Sequence, residues 1–135
     1  MSQSIEVSRV FPVSPNAIYD AWTNEDEHAD MTGGDATFDP RVGGRFSAWD
    51  GYIKGTILEL EPSRRIVQAW RTVDFPKDAA DSRVEVLLEP IADGTILTLR
   101  HSDIPDGQAA DVELGWVEYY FEPMLEYFGA EDIIE

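Results

Sequence analysis

Cysteine is absent from the chain, which removes disulfide frameworks, thiolate nucleophiles, redox pairs and cysteine-based zinc sites together. Histidine is nearly absent, and His28 and His101 alone are too few for a typical zinc site. No apolar run approaches the ~20 residues of a membrane span, and Met1 to Ile5 does not read as a signal peptide. A cytoplasmic location is the resulting expectation. Positive charge is scarce as well, with 10 Lys and Arg against 27 Asp and Glu and a formal net charge of -17. Residues 1–40 carry eight acids and one base, residues 41–101 nine of each, and residues 102–135 ten acids with no lysine or arginine. Nucleic acids and anionic membranes are bound through basic surfaces, so neither is an expected partner. A solvated surface is the simpler account of this acidity, and attraction to a basic protein the alternative.

What remains is a globular composition, 43% hydrophobic over 135 residues, enough for one domain spanning residues 1–135 with a core of its own. Ser4 to Phe11 alternates apolar and polar residues and reads as a half-buried strand, its end ambiguous between Arg9 and Val10. Ser14-Pro15 reads as an N-cap followed by proline at the first helical position, and Asn24 as the cap of a second short helix opened by Glu25-Asp26-Glu27 and ended by Gly33-Gly34. Six further strands follow: 37–38, 45–49, 52–61, 64–73, 82–89 and 95–101. The turn signals between them are too short for parallel crossovers, so the neighbours are expected to be antiparallel. Alternation puts Leu58 and Leu60 on the covered face, with Ile66, Gln68, Trp70, Val84, Val86 and Leu88. From about Ala109 to Phe128 the pattern is helical, with Leu114, Val117, Phe121, Met124 and Phe128 on one face and Asp111, Glu118, Glu122 and Glu126 on a solvated one. Pro123 lies inside this helix, where it cannot bond the Tyr119 carbonyl and is expected to bend it.

The order β-α-α-β₆-α, together with V-G-G-R-F at 42–46, D-G-Y-I-K-G at 50–55, E-L-E-P-S-R-R-I-V-Q-A-W-R at 59–71, D-G-T-I-L-T-L-R-H at 93–101 and G-W-V-E-Y-Y-F at 115–121, carries a family resemblance. The chain resembles the AHSA family, activators of heat-shock-protein-90 ATPase and their homologues, of the START-like or Bet v 1-like superfamily (SRPBCC). Within it the likeness is to the C-terminal domain of the eukaryotic activator, and it runs from Ile5 to Gly129. The resemblance implies an α+β helix-grip fold: an antiparallel sheet of six or seven strands wrapped around a long C-terminal helix, with two short helices after the first strand. It also implies a cavity between sheet and helix, and it supplies no shared set of catalytic residues.

Two functional readings follow. The first is a non-enzymatic domain that binds a small apolar or amphipathic ligand between sheet and helix, with no cofactor and no metal. Its candidate cavity residues are Trp22, Phe46, Thr56, Gln68, Trp70, His101, Trp116, Tyr120, Phe121 and Met124, the aromatics burying the ligand and Gln68 or His101 orienting it. Each aromatic alone is more often core than pocket, and together they could fill the cavity. The second reading is a co-chaperone that binds heat-shock protein 90 and stimulates its ATPase. Gly43-Gly44 lacks the Lys-Ser/Thr of a phosphate loop and reads as a turn, and Gly55 as a strand bulge. His28, on a helix expected to be exposed, has only flexible carboxylates beside it and makes a poor metal site.

Overall fold

The structure, a computed structural model, describes residues 3–133, with side chains through residue 129. Strand β1 (Gln3–Phe11) leads into helix α1 (Pro15–Thr23) and helix α2 (Glu25–Thr32). Both helices start where their caps dictate: the Ser14 hydroxyl accepts from the Ala17 amide at 3.3 Å, and the Asn24 side chain accepts from the Glu27 amide at 2.9 Å. Three acids in the first turn of α2 complement its dipole, and Gly33, with φ 90°, ends it in the left-handed region that glycine adopts freely.

Strands β2 (Thr37–Phe38), β3 (Arg45–Ala48), β4 (Ile53–Glu61), β5 (Arg65–Thr72), β6 (Ser82–Ile91) and β7 (Gly94–Ile104) complete one antiparallel sheet in the order β1-β7-β6-β5-β4-β3-β2. The first strand therefore closes on the last, with Val7 opposite Leu99 and Phe11 opposite Thr95. Arg9 rather than Val10 takes the helix-facing side. Its guanidinium lies 6.0 Å from the centre of the Phe121 ring, while Val10 is 53% exposed.

The inner face is largely as alternation assigns it, with one correction. A register shift between Ile57 and Glu59 breaks the period of β4, so Ile57 and Leu60 face inward and Leu58 is exposed. Gly55 is not the bulge. A Cβ there would stand 1.8 Å from the Ala69 carbonyl oxygen and 2.6 Å from the Phe46 ring, so the glycine exists to let that ring lie against the strand.

The outer face carries a lattice of charge. Arg65 binds Glu85 at 2.7 Å and Glu59, and Arg100 joins Glu85 to Glu6. Val67, level with Glu59 and Glu85 in the ladder, is fully buried on this face.

The C-terminal helix runs as α3 (Ala109–Gly115), a six-residue π turn (Trp116–Phe121) and α4 (Glu122–Ile133). The disruption expected of Pro123 takes this form. Proline has no N–H to return to Tyr119, and the turn before it widens until the Glu122 amide reaches the Val117 carbonyl, five residues back. One extra residue in the turn shifts the apolar stripe. Trp116, Phe121, Met124 and Phe128 are buried as expected, but on the N-terminal side Val112 packs against the core and Leu114 is 54% exposed. The acids Asp111, Glu118, Glu122 and Glu126 lie on the solvent side. No described helix is long and apolar enough to cross a membrane.

Candidate functional site

Between sheet and helix the aromatics converge. Trp22 stacks on Trp116 with ring centres 6.1 Å apart, Trp116 meets Trp70 at 5.6 Å and Tyr120 at 4.7 Å, and Phe121 packs edge-on against Phe11. Two buried histidines knit these rings together. His101 accepts at Nδ1 from the Trp116 indole at 3.0 Å. Its Nε2 therefore carries the proton and donates to Ser82 Oγ at 2.7 Å, which in turn donates to the Trp70 carbonyl. His28 is the mirror case. Its Nδ1 donates to the Trp22 carbonyl at 2.8 Å, and Nε2 accepts from the Tyr120 hydroxyl at 2.7 Å. Every ring nitrogen is occupied by the neutral form. Burial lowers the pKa of His28 to about 4 and that of His101 to about 3, and raises that of the Tyr120 phenol.

The position of His28 corrects the sequence reading. The residue is 1% exposed, far from a solvated helix face, because the α1–α2 corner folds it under the C-terminal helix. Among the described residues no cluster of three or more His, Asp or Glu could hold a metal ion.

A pocket of about 590 Å³ opens at one end, between the β3–β4 turn, the ends of β4 and β5, and the first half of the C-terminal helix. Its walls are Trp49, Tyr52, Trp70, Trp116, Tyr119 and Tyr120, with Ile53 and Val112 between them. The π turn matters here, since Trp116, Tyr119 and Tyr120 all lie within it and all reach the pocket. Trp49 stands opposite, edge-on to Tyr119 at 5.6 Å. It holds a φ of 52°, costly for a bulky side chain, and its indole nitrogen is buried without a partner among the described residues. Strain and an orphaned donor coincide at one wall.

The rim is polar. The Tyr52 hydroxyl donates to Asp74 Oδ2 at 2.6 Å, and the Gln108 amide donates to the Asp74 carbonyl at 3.1 Å, tying the segment after β5 to the start of the helix. The Tyr52 phenol titrates above its ordinary value, first because Asp74 holds its proton and then because of burial, with the charges of Asp74 and Asp111 adding to the effect. Asp111 reaches the rim from the first turn of α3.

Of the ten sequence candidates, Trp70, Trp116 and Tyr120 line this pocket. Trp22, Phe46, Phe121 and Met124 are packed core, with Phe46 stacked on Phe38. Gln68 is buried and accepts from the Trp22 indole at 3.4 Å, and His101 is fully engaged, so neither orients a ligand in the pocket. Thr56 is a correction: Ile53 and Ile57 point inward, so Thr56 points to the outer face. Trp49, Tyr52, Asp74, Asp111 and Tyr119 are the residues that sequence reasoning missed. One signal was available, the two aromatics Trp49 and Tyr52 flanking Asp50-Gly51, which a hairpin must bring to the same end of the sheet.

Comparison with known proteins agrees with this architecture. The family model described as "Activator of Hsp90 ATPase homolog 1-like protein" matches residues 12–129. The human activator of 90 kDa heat shock protein ATPase homolog 1 is 27% identical over 125 residues, covering 93% of this chain and 37% of that protein. A Dictyostelium discoideum homologue of the same description is 30% identical over 118 residues, covering 85% of this chain and 30% of that protein. The chain thus spans about a third of the length of these curated relatives. Among solved structures, an HSP90 activator from Plasmodium falciparum superposes with a TM-score of 0.86 at 26% identity, covering 93% of this chain and 96% of that one. CalU16 from Micromonospora echinospora superposes at 0.81 with 26% identity, covering 98% and 80%. With the family model matched over most of the chain and the fold in agreement, the chain belongs to the family of activator of Hsp90 ATPase homolog 1-like proteins.

Proposed function

We propose that this chain is a non-enzymatic binding domain that holds a small apolar or amphipathic molecule in the pocket beside the π turn. The observation that carries the reading is the pocket itself. About 590 Å³ walled by six aromatic side chains falls in the range of small-molecule sites, roughly 300–1,000 Å³. Both histidines are committed to buried structural bonds and neither lines the pocket, which favours binding over acid–base chemistry. Tryptophan fluorescence titrated with apolar and amphipathic probes tests the proposal, since Trp49, Trp70 and Trp116 report on any occupant. A saturable change supports it, and an unchanged spectrum across the panel refutes it.

A second reading is favoured by the names of the relatives: a co-chaperone whose surface stimulates the ATPase of a heat-shock protein 90. The acidic ends of the chain would suit a basic partner surface, and binding would weaken steeply with salt. The ATPase rate of purified chaperone with and without excess protein decides it. An unchanged rate with no complex formed excludes this reading.

A further inference from the structure

We propose that the pocket selects an organic cation with an apolar body, an amine or quaternary ammonium whose charge sits against the aromatic wall and the carboxylates of Asp74 and Asp111. The inference rests on the pocket being a binding site and adds the chemical class of what fills it.

The charged groups lining the pocket are Asp74 and Asp111, and no lysine, arginine or histidine is among the lining residues. Both carboxylates have capacity left. Asp74 gives Oδ2 to Tyr52, and no bond among the described residues occupies Oδ1; Asp111 has no hydrogen-bond or ion-pair partner among them. The situation differs from the outer sheet face, where Glu59 and Glu85 are held by arginines. A carboxylate beside an apolar cavity loses water when the cavity fills, and an occupant bearing positive charge offsets that loss better than a neutral hydrogen-bond donor does. The wall supplies a second attraction of the same sign, because the faces of tryptophan and tyrosine attract cations at distances up to about 6 Å. Tyr119 and Tyr52, 56% and 43% exposed, offer that surface, with Trp49 edge-on to Tyr119 at 5.6 Å, while the buried Trp70, Trp116 and Tyr120 complete the lining. The long-range field acts in the same direction, as residues 102–135 carry ten acids and no lysine or arginine. An anionic amphiphile of the same size meets repulsion from each of these elements.

Three probes sharing one phenylbutyl body separate charge from size: phenylbutyltrimethylammonium, phenylbutanol and phenylpentanoate, each titrated into the full chain at low salt and followed by fluorescence and calorimetry. The cation is expected to bind about tenfold more tightly than the alcohol, and the carboxylate more weakly than the alcohol. Asp74→Asn and Asp111→Asn should each weaken the cation by about threefold while leaving the alcohol unchanged. Melting curves of both variants confirm that the fold is kept. Alcohol or carboxylate binding as tightly as the cation overturns the cation preference and leaves the pocket standing as a binding site. Failure of all three probes overturns the binding reading itself, and the cation preference with it.

Discussion

Lowering the pH from 7.5 to 5 should destabilise this protein by about 4 kcal/mol through its two histidines alone. Each ring is buried and bonded in its neutral form, with folded pKa values of about 4 for His28 and about 3 for His101. In the unfolded chain both return to about 6.5. Between the folded and unfolded values the unfolded state binds more protons, so stability rises with pH there and falls as acid is added. At pH 5 each unfolded histidine is almost fully protonated and each folded one almost none, which costs about 2 kcal/mol apiece. The loss per pH unit peaks at about 2.5 kcal/mol near pH 5 and eases below it, as His28 begins to take up its proton in the fold. The groups facing them offer no charge to offset this. His101 meets Ser82, Trp70 and Trp116, and His28 meets the Trp22 carbonyl, Tyr120 and Phe38. Urea denaturation at the two pH values measures the loss, and NMR of the two ring Cε1–H resonances measures its cause. Neither ring should titrate in the folded protein between pH 8 and about 5, well above the folded values. A ring titrating near 6.5 in the fold, or equal stability at both pH values, refutes the reasoning.

Trp116→Phe removes the indole donor to His101 Nδ1 and part of a ring that is 2% exposed, and should cost about 2–4 kcal/mol by urea denaturation. Arg65→Met leaves Glu59 and the mostly buried Glu85 with only the longer contacts to Arg83 at 3.9 Å and Arg100 at 3.8 Å, costing about 1–2 kcal/mol and less at high salt. The solvated Arg41–Asp39 pair, bonded at 2.8 Å, should change stability by less than about 0.5 kcal/mol when Arg41 is replaced by alanine. Pro123→Ala restores an amide donor and should let the π turn relax toward an α-helix. That would move Trp116 within the pocket and shift its emission, whereas an unchanged spectrum would mean that packing holds the turn without the proline.

Much of the fold could be read from local chemistry. Ser14-Pro15 and Asn24 fix helix starts whose caps the structure reproduces, and alternation in β6 and β7 places Val84, Val86, Leu97, Leu99 and His101 inside. The failures have local causes. In β4 the irregularity after Ile57 reverses parity, which moves Leu58 outward and had made Thr56 look inward. Along the C-terminal helix, extending a 3.6-residue period through a π turn lands on Leu114 where Val112 packs, while Trp116 is buried as expected. His28 misled because a short acidic helix shows little apolar face of its own, and its burial depends on Tyr120, 92 residues away. The pocket was the least legible part. Its walls come from the β3–β4 turn, the ends of two strands and an irregular helix, and its rim carboxylate Asp111 carries the sequence pattern of a solvated stripe.

Filling the pocket from its own wall tests most directly whether it is the binding site. Gly115 lines it in helical conformation, φ -61°, and a Cβ there meets only the Tyr119 ring at 4.0 Å. Gly115→Leu should therefore be tolerated at its Cβ and carry side-chain bulk against the pocket, while raising helix stability by up to about 1 kcal/mol. The expected result is a melting temperature equal to or above the parent's, with the fluorescence response to the bound probe abolished. A folded Gly115→Leu protein that binds the probe as tightly as the parent would contradict it.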